Sequence, residues 1–198
     1  MARLSLSGLI ALAALAGPLA GCGGAPPPPQ TFADLRFTTE PPLRLAVAAV
    51  EINDEYRPNL DPPHYEQRMP IPLPHVVDNW ARDRLQAAGA SGHAVAVVTD
   101  ASVVEIVLPK ESGLSSTFTD QLDRQYVARA GVRVELRDDA GRATRVAEGH
   151  AERSITTNEG NSLNDRDRLL YQMEGDLMAD LDRQLETQIR NNFGNLVR

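Results

Sequence analysis

The string "GHAERS" puts His150, Glu152 and Ser154 on alternate positions. In an extended strand the three share one face. A base, an acid and a hydroxyl are the parts of a hydrolytic triad. The nucleophile of such a site, however, is presented at a sharp turn beside an oxyanion hole, and the chain contains no G-x-S-x-G. Alternating polar residues are equally what the wet face of a sheet requires, so the expectation is a surface and no catalytic residue. His64, His75 and His93 complete the set of four histidines, and none has a metal-binding spacing. Of the acids Asp165, Asp167, Glu174 and Asp176, the leading ones make up the acidic first turn that a helix N-terminus favours, which does not require a site. "TTNEGNSLND" lacks the alternating oxygen ligands of an EF-hand loop, and the glycines at 21–24 and 89–92 do not form a phosphate-binding loop. Neither a metal nor a cofactor is expected.

One further residue invites covalent chemistry. Cys22 is the only cysteine in 198 residues, and it sits between an apolar leader and four prolines in "LAGCGGAPPPPQ". Arg3 followed by "LSLSGLIALAALAGPLA" has the charged, apolar and small-residue regions of a secretory signal. The apolar core is too short for a membrane span, which needs ~20 residues, and Gly17-Pro18 breaks it. Residues 1–21 are therefore read as a signal peptide. Leu19-Ala20-Gly21-Cys22 resembles a bacterial lipobox. That resemblance implies a diacylglyceryl thioether on Cys22, cleavage before it and acylation of the new N-terminus. A single acyl chain anchors marginally and two or three hold firmly. Gly23 stands where an aspartate would signal inner-membrane retention, so the resemblance implies an outer-membrane lipoprotein facing the periplasm.

Composition sets the remaining bounds. A formal charge of −7 argues against a nucleic-acid partner. A lone cysteine leaves no internal disulfide, so packing must hold the domain together in an oxidising compartment. The proline run after Cys22 favours an extended polyproline spacer, and residues 22–42 are read as a tether. Residues 43–198 then have the length of one domain with a proper core.

Within that domain, "LRLAVAAVEI" from Leu43 to Ile52 reads as one strand buried on both faces. A long proline-rich loop, Asn53 to Pro74, follows. "HVVDNWARDRLQAAG" has helical periodicity through Leu73, Val77, Trp80, Ala81 and Ala88, with Gly89 as its stop. "HAVAVVT" and "SVVEIVLP" read as a strand pair or one bent strand, and the serine-rich loop after them, with Leu114 and Phe118, as a flexible connector. "YVARAGVRVEL" alternates strictly between apolar and charged residues, and "DDAG" from Asp138 to Gly141 predicts a hairpin turn. On the return strand Ala147, Gly149, Ala151 and Ile155 share a face whose small residues predict a closely packed helix. Ser162 and Asp165 mark the start of that helix as a capping box. It continues to about Asn192, and its Leu170–Leu181 stripe fades toward the end. The helix is expected to run past the edge of the sheet or to bend.

The order of elements predicts an α+β fold: a mostly antiparallel sheet with two helices packed on one face and a long C-terminal helix. Behind a lipobox, that order resembles small envelope lipoproteins. They include the auxiliary lipoproteins of ABC-type transport systems, the outer-membrane lipoprotein of lipopolysaccharide assembly and YajG-like lipoproteins. The resemblance lies in the order of elements over residues 43–193, and only the lipobox carries over residue by residue. It implies a non-catalytic scaffold or accessory subunit of an envelope complex.

Long loops are often functional, so Tyr56, His64, Tyr65 and Met69 in the 53–74 loop are candidates for contact with an envelope protein partner. Packing of the loop onto the sheet would use the same residues. A second reading is an amphiphile carrier, signalled by a deep apolar cavity lined by Val104, Ile106 and Leu177. The third is a hydrolase, signalled by a buried His150–Ser154 pair.

Overall fold

The computed structural model describes residues 30–109 and 121–198. Its largest sheet is built from β2 (Ala49–Asp54), β4 (His93–Val107), β5 (Leu122–Arg137) and β6 (Ala143–Asn158), in the order β2-β4-β5-β6. The β2–β4 pair is parallel and the other two pairs are antiparallel. Helices α1 (Leu73–Arg84) and α2 (Leu163–Phe193) contribute to one continuous core with one face of this sheet. The fold is α+β, with the mostly antiparallel sheet and long C-terminal helix read from the sequence.

The alternation in β5 has its expected result. Tyr126, Ala128, Ala130, Val132, Val134 and Leu136 are buried under the helices, while Arg129 on the opposite face is exposed. The chain reverses at Asp138–Gly141, where the Gly141 N–H donates to the Asp138 carbonyl at 2.8 Å and Gly141 takes φ = +77°. The two β-rich runs before β5 form one strand, β4, with a bulge between Val98 and Asp100 that keeps its apolar residues on the core side.

Two local readings are corrected, and one of the two alternatives open for a third is excluded. Leu43–Ile52 is two strands: β1 (Leu43–Leu45) lies in a separate small sheet, and β2 is half-exposed at the edge of the large one. Helix α1 ends at Arg84, because Leu85 turns extended and Leu85–Ala87 becomes β3, pairing in parallel with β1. Gly89 marks a close crossing: a Cβ there would lie 2.6 Å from the Val47 nitrogen. Finally, α2 does not run past the sheet. Leu185, Ile189 and Phe193 are as buried as Leu170 and Leu181, so the apolar stripe turns with the helix and stays on the core.

Helix α2 starts where its chemistry dictates. Ser162 Oγ accepts from the Asp165 N–H at 3.2 Å, and an Asp165 carboxylate oxygen accepts from the Ser162 N–H at 3.3 Å. It packs against β6 across Gly149, where a Cβ would come within 2.7 Å of Leu185 Cγ.

The tether reading requires the largest correction. Residues 30–42 do not stand clear of the domain. Phe32, Leu35 and Phe37 pack on the core, and the Phe32 ring lies 4.9 Å from Tyr171 of α2. The Tyr171 hydroxyl donates to the Ala33 carbonyl at 3.1 Å, Asn79 donates to Asp34, and Arg36 pairs with Asp83. Residues 32–41 thus form a strap laid along both helices.

Candidate interaction surfaces

The 53–74 loop owes its length to an exposed strand edge. Strand β2 ends at Asp54, opposite Val98, and leaves the rest of β4 without a neighbour on that side. An open edge is a liability that proteins cover. Here the loop covers it: the Tyr65 N–H donates to the Val103 carbonyl at 2.7 Å, and the Glu105 N–H donates to the Pro63 carbonyl at 2.8 Å. Tyr65 and Met69 are buried, with Tyr65 edge-on to Tyr126 at 4.9 Å. Tyr56 is half-buried and donates its hydroxyl to Glu66 at 2.7 Å. Burial and that carboxylate together raise the Tyr56 hydroxyl above its ordinary pKa. His64 is half-buried, its Nδ1 3.7 Å from Glu66. Tyr56 and His64 therefore meet at Glu66, and the side chains of all four loop candidates are largely spent on holding the loop down.

The open face of the sheet is ionic. Arg133 and Arg137 both bind Glu135, at 2.9 and 2.7 Å, and Arg129 binds Glu152 at 2.6 Å. The hydrogen bond from Arg137 leads the causes that hold the Glu135 carboxyl below its usual range. His150 and Ser154 share this face and are both exposed, and His150 pairs with Glu148 at 3.4 Å. They do not form the buried pair that a hydrolase needs. Among the described residues no cluster of three or more His, Cys, Asp or Glu side chains gathers for a metal.

The carrier reading meets a geometric obstacle. Val104 pairs with Val127 on the open face, whereas Leu177 is fully buried on α2 behind the other face. Ile106 alternates with Val104 on the open side. The three residues cannot line one cavity.

A surface that the sequence did not single out lies along β6. No strand flanks its outer edge among the described residues. Gln184 of α2 accepts from the His150 N–H at 2.7 Å, and Asn192 donates to the Val146 carbonyl at 2.9 Å. In an antiparallel ladder alternate residues direct both backbone groups the same way. Glu152, Ser154 and Thr156 therefore point their N–H and C=O groups outward, beyond the reach of those two side chains. Beside this edge runs an open groove of about 510 Å³, lined by His150, Glu152, Asp180, Arg183, Thr187 and Gln188. The clue in the sequence was a sixteen-residue strand followed directly by a long helix instead of by another strand.

The helix layer holds two further features. Arg84, at the end of α1, is buried and donates to Asp182 at 2.6 Å, to Glu186 at 2.7 Å and to the Pro41 carbonyl of the strap. Trp80 Nε1 donates to the same Asp182 at 2.8 Å. Glu174 of α2 is fully buried, its two oxygens have no hydrogen-bond partner, and burial pushes its carboxyl up to about 8. Both were visible as charges on apolar stripes, Arg84 after Val77 and Trp80, Glu174 after Leu170 and Met173.

Cys22 and the rest of the lipobox, Leu19, Ala20 and Gly21, lie outside the described residues, as does most of the serine-rich loop with Leu114 and Phe118. No described helix is long and apolar enough to cross a membrane.

No family model matches the sequence, and no curated protein matches it. Among solved structures the chain is similar to a minor lipoprotein from Acinetobacter baumannii, at 13% identity over 74% of this chain and 95% of that one, with a TM-score of 0.39. It is also similar to the rare lipoprotein B from Shewanella oneidensis, at 10% identity over 72% of this chain and 95% of that one, again with a TM-score of 0.39.

Proposed function

We propose that the protein is a non-catalytic outer-membrane lipoprotein, acylated at Cys22, whose domain faces the periplasm and serves as an accessory or scaffold subunit of an envelope complex. The anchor rests on Leu19-Ala20-Gly21-Cys22 behind a short apolar leader. The observation that carries the scaffold role is the outer edge of β6, which offers backbone donors and acceptors beside a polar groove. An extended segment of a partner protein adds to such an edge by main-chain hydrogen bonds, with side-chain pockets supplying specificity. Movement of lipid or lipopolysaccharide by that complex is the role this reading favours.

The test is in-cell photo-crosslinking of the native acylated protein, with the photoreactive residue at Ser154 on the β6 edge or at Leu60 in the 53–74 loop. A discrete protein adduct from Ser154, identified by mass spectrometry, supports the edge as the partner surface. An adduct only from Leu60 moves the surface to the loop. A co-purifying lipid without any protein adduct replaces the scaffold with a carrier.

A further inference from the structure

The strap has a direction. At its C-terminal end the Pro41 carbonyl meets Arg84, whose partners Asp182 and Glu186 lie about 30 Å along α2 from its start at ~1.5 Å per residue. Moving toward the N-terminus, Arg36 and Phe37 meet Asp83, and Asp34 meets Asn79. Phe32 and Ala33 then meet Tyr171, which is only about 12 Å from the start of α2. The chain therefore climbs the helix layer toward one end of the molecule and leaves the described fold there at Gln30.

The same end carries the exposed apolar side chains. Val107 closes β4 beside the start of β5, and the Leu108 N–H donates to the Asp123 carbonyl there. Leu122 pairs with Asn158 at the end of β6, and Leu163 opens α2 five residues later. Val107, Leu122 and Leu163 are 67%, 58% and 69% exposed. Ile106 adds to them, and Leu60 belongs to the loop whose Pro63 carbonyl binds Glu105 beside this end. Among the described residues Val146 is the one large exposed apolar residue at the opposite end, where the end of α2 reaches its carbonyl through Asn192. Soluble surfaces scatter such residues singly, and gathering them at one pole marks a contact surface.

We propose that this pole is the membrane-facing end of the protein, with Val107, Leu122 and Leu163 resting against the lipid surface. The inference rests on acylation at Cys22. The length of chain selects lipid as the occupant. Eight residue steps separate Cys22 from Gln30, and at ~3.1 Å per residue an extended proline-rich segment spans about 25 Å. The strap delivers that short spacer at the apolar pole, so the lipid is the surface within reach. Clamped by ion pairs and aromatic packing, the strap fixes which end of the domain points at the membrane. The β6 edge then stands roughly along the membrane normal, accessible from the side.

The experiment uses the full acylated chain in vesicles of phosphatidylethanolamine and phosphatidylglycerol that contain a nitroxide-labelled lipid. Cys22 is blocked as a thioether, so a second cysteine takes a fluorophore alone. Leu122→Cys, Leu163→Cys and Val146→Cys each carry the probe, and the far-ultraviolet circular dichroism of each is compared with the parent to confirm folding. Quenching several-fold stronger at 122 and 163 than at 146 is expected. Equal quenching at both poles, or stronger quenching at 146, overturns the orientation. The intact mass of Cys22 separates the two readings: acylated protein without polar asymmetry sinks only this inference, and an unmodified Cys22 sinks it together with the anchor. Protein adducts at 122 and 163 in cells, with no quenching by lipid, assign the pole to a protein partner and overturn it as well.

Discussion

Arg84 ends α1 with its guanidinium held by two carboxylates and a strap carbonyl, whereas Glu174, a third of the way along α2, is buried with neither oxygen bonded. Both sit on apolar stripes, and both had to leave water. Desolvation costs an ion several kcal/mol unless partners replace the water. Around Arg84 they do, and three separate stretches of chain are tied to one cation. Around Glu174 they do not, and the group escapes the cost by holding its proton at neutral pH. Burial of an ionisable group thus says nothing by itself; the partners decide whether it is a pin or a burden.

The largest effect should come from removing the pin. Arg84→Ala takes the donor from the Pro41 carbonyl and one donor each from Asp182 and Glu186, which keep Trp80 and Arg190, and breaking a buried pair in this way costs at most about 3–5 kcal/mol. Urea unfolding followed through Trp80, whose indole shares Asp182, reads the loss directly. Arg84→Met fills most of the space without the charge and should cost less than the alanine. If alanine and methionine prove equally mild, the three bonds contribute little and the contrast with Glu174 collapses.

Glu174 should behave in the opposite sense. The folded state keeps a proton that the unfolded chain releases near the ordinary carboxylate value of 4.5, so this residue's contribution to stability is fully present below about 4.5 and is lost as pH rises to about 8. At ~1.4 kcal/mol per pKa unit the loss across that window is several kcal/mol. Glu174→Met should flatten this slope and raise stability at pH 8.5 by about 2–4 kcal/mol, with little gain at pH 4.5. Parallel urea titrations at the two pH values decide it, and an unchanged slope in the variant would show that the carboxyl finds water or a partner.

Close packing of α2 was legible in advance. The small residues of β6 announced a close helix, and Gly149 proves to be the contact point with Leu185. Gly149→Val should cost about 1–3 kcal/mol by overpacking, which thermal unfolding would show, and it should also loosen both Arg84 and Glu174 by lifting α2. The alternation of β5, the bend in β4 and the Ser162–Asp165 cap were equally readable, since each is a rule acting between near neighbours in sequence. What escaped depends on partners far away in the chain. Leu85-Gln86-Ala87 continues the helical composition of α1, yet β1 captures it forty residues from its own position. The strap was read as spacer from its prolines, although Leu35 and Phe37 alternate with Asp34 and Arg36 as a docking segment does. Of the surfaces, the loop residues were found with partner contact and packing onto the sheet both open, and the β6 edge was missed because no near neighbour in sequence signals an unpaired edge.

The smallest effect makes the cleanest control. Gly175 follows Glu174 directly, but about 100° further round the helix it lines an open cleft of about 460 Å³ between the strap and α2, and an added Cβ would have no atom within 4 Å. It is a glycine inside a long helix, and replacing it with alanine should gain about 1 kcal/mol from backbone entropy and helix propensity alone. That gain involves no ionisable group, so it should be the same at pH 4.5 and pH 8.5. Glu174→Met and Gly175→Ala therefore alter adjacent positions of one helix turn through different physics, one dependent on pH and one not. Equal pH dependence in the two variants would mean that the slope belongs to α2 as a whole, through its many surface ion pairs, and Glu174 would lose its place as the buried acid that tunes the domain.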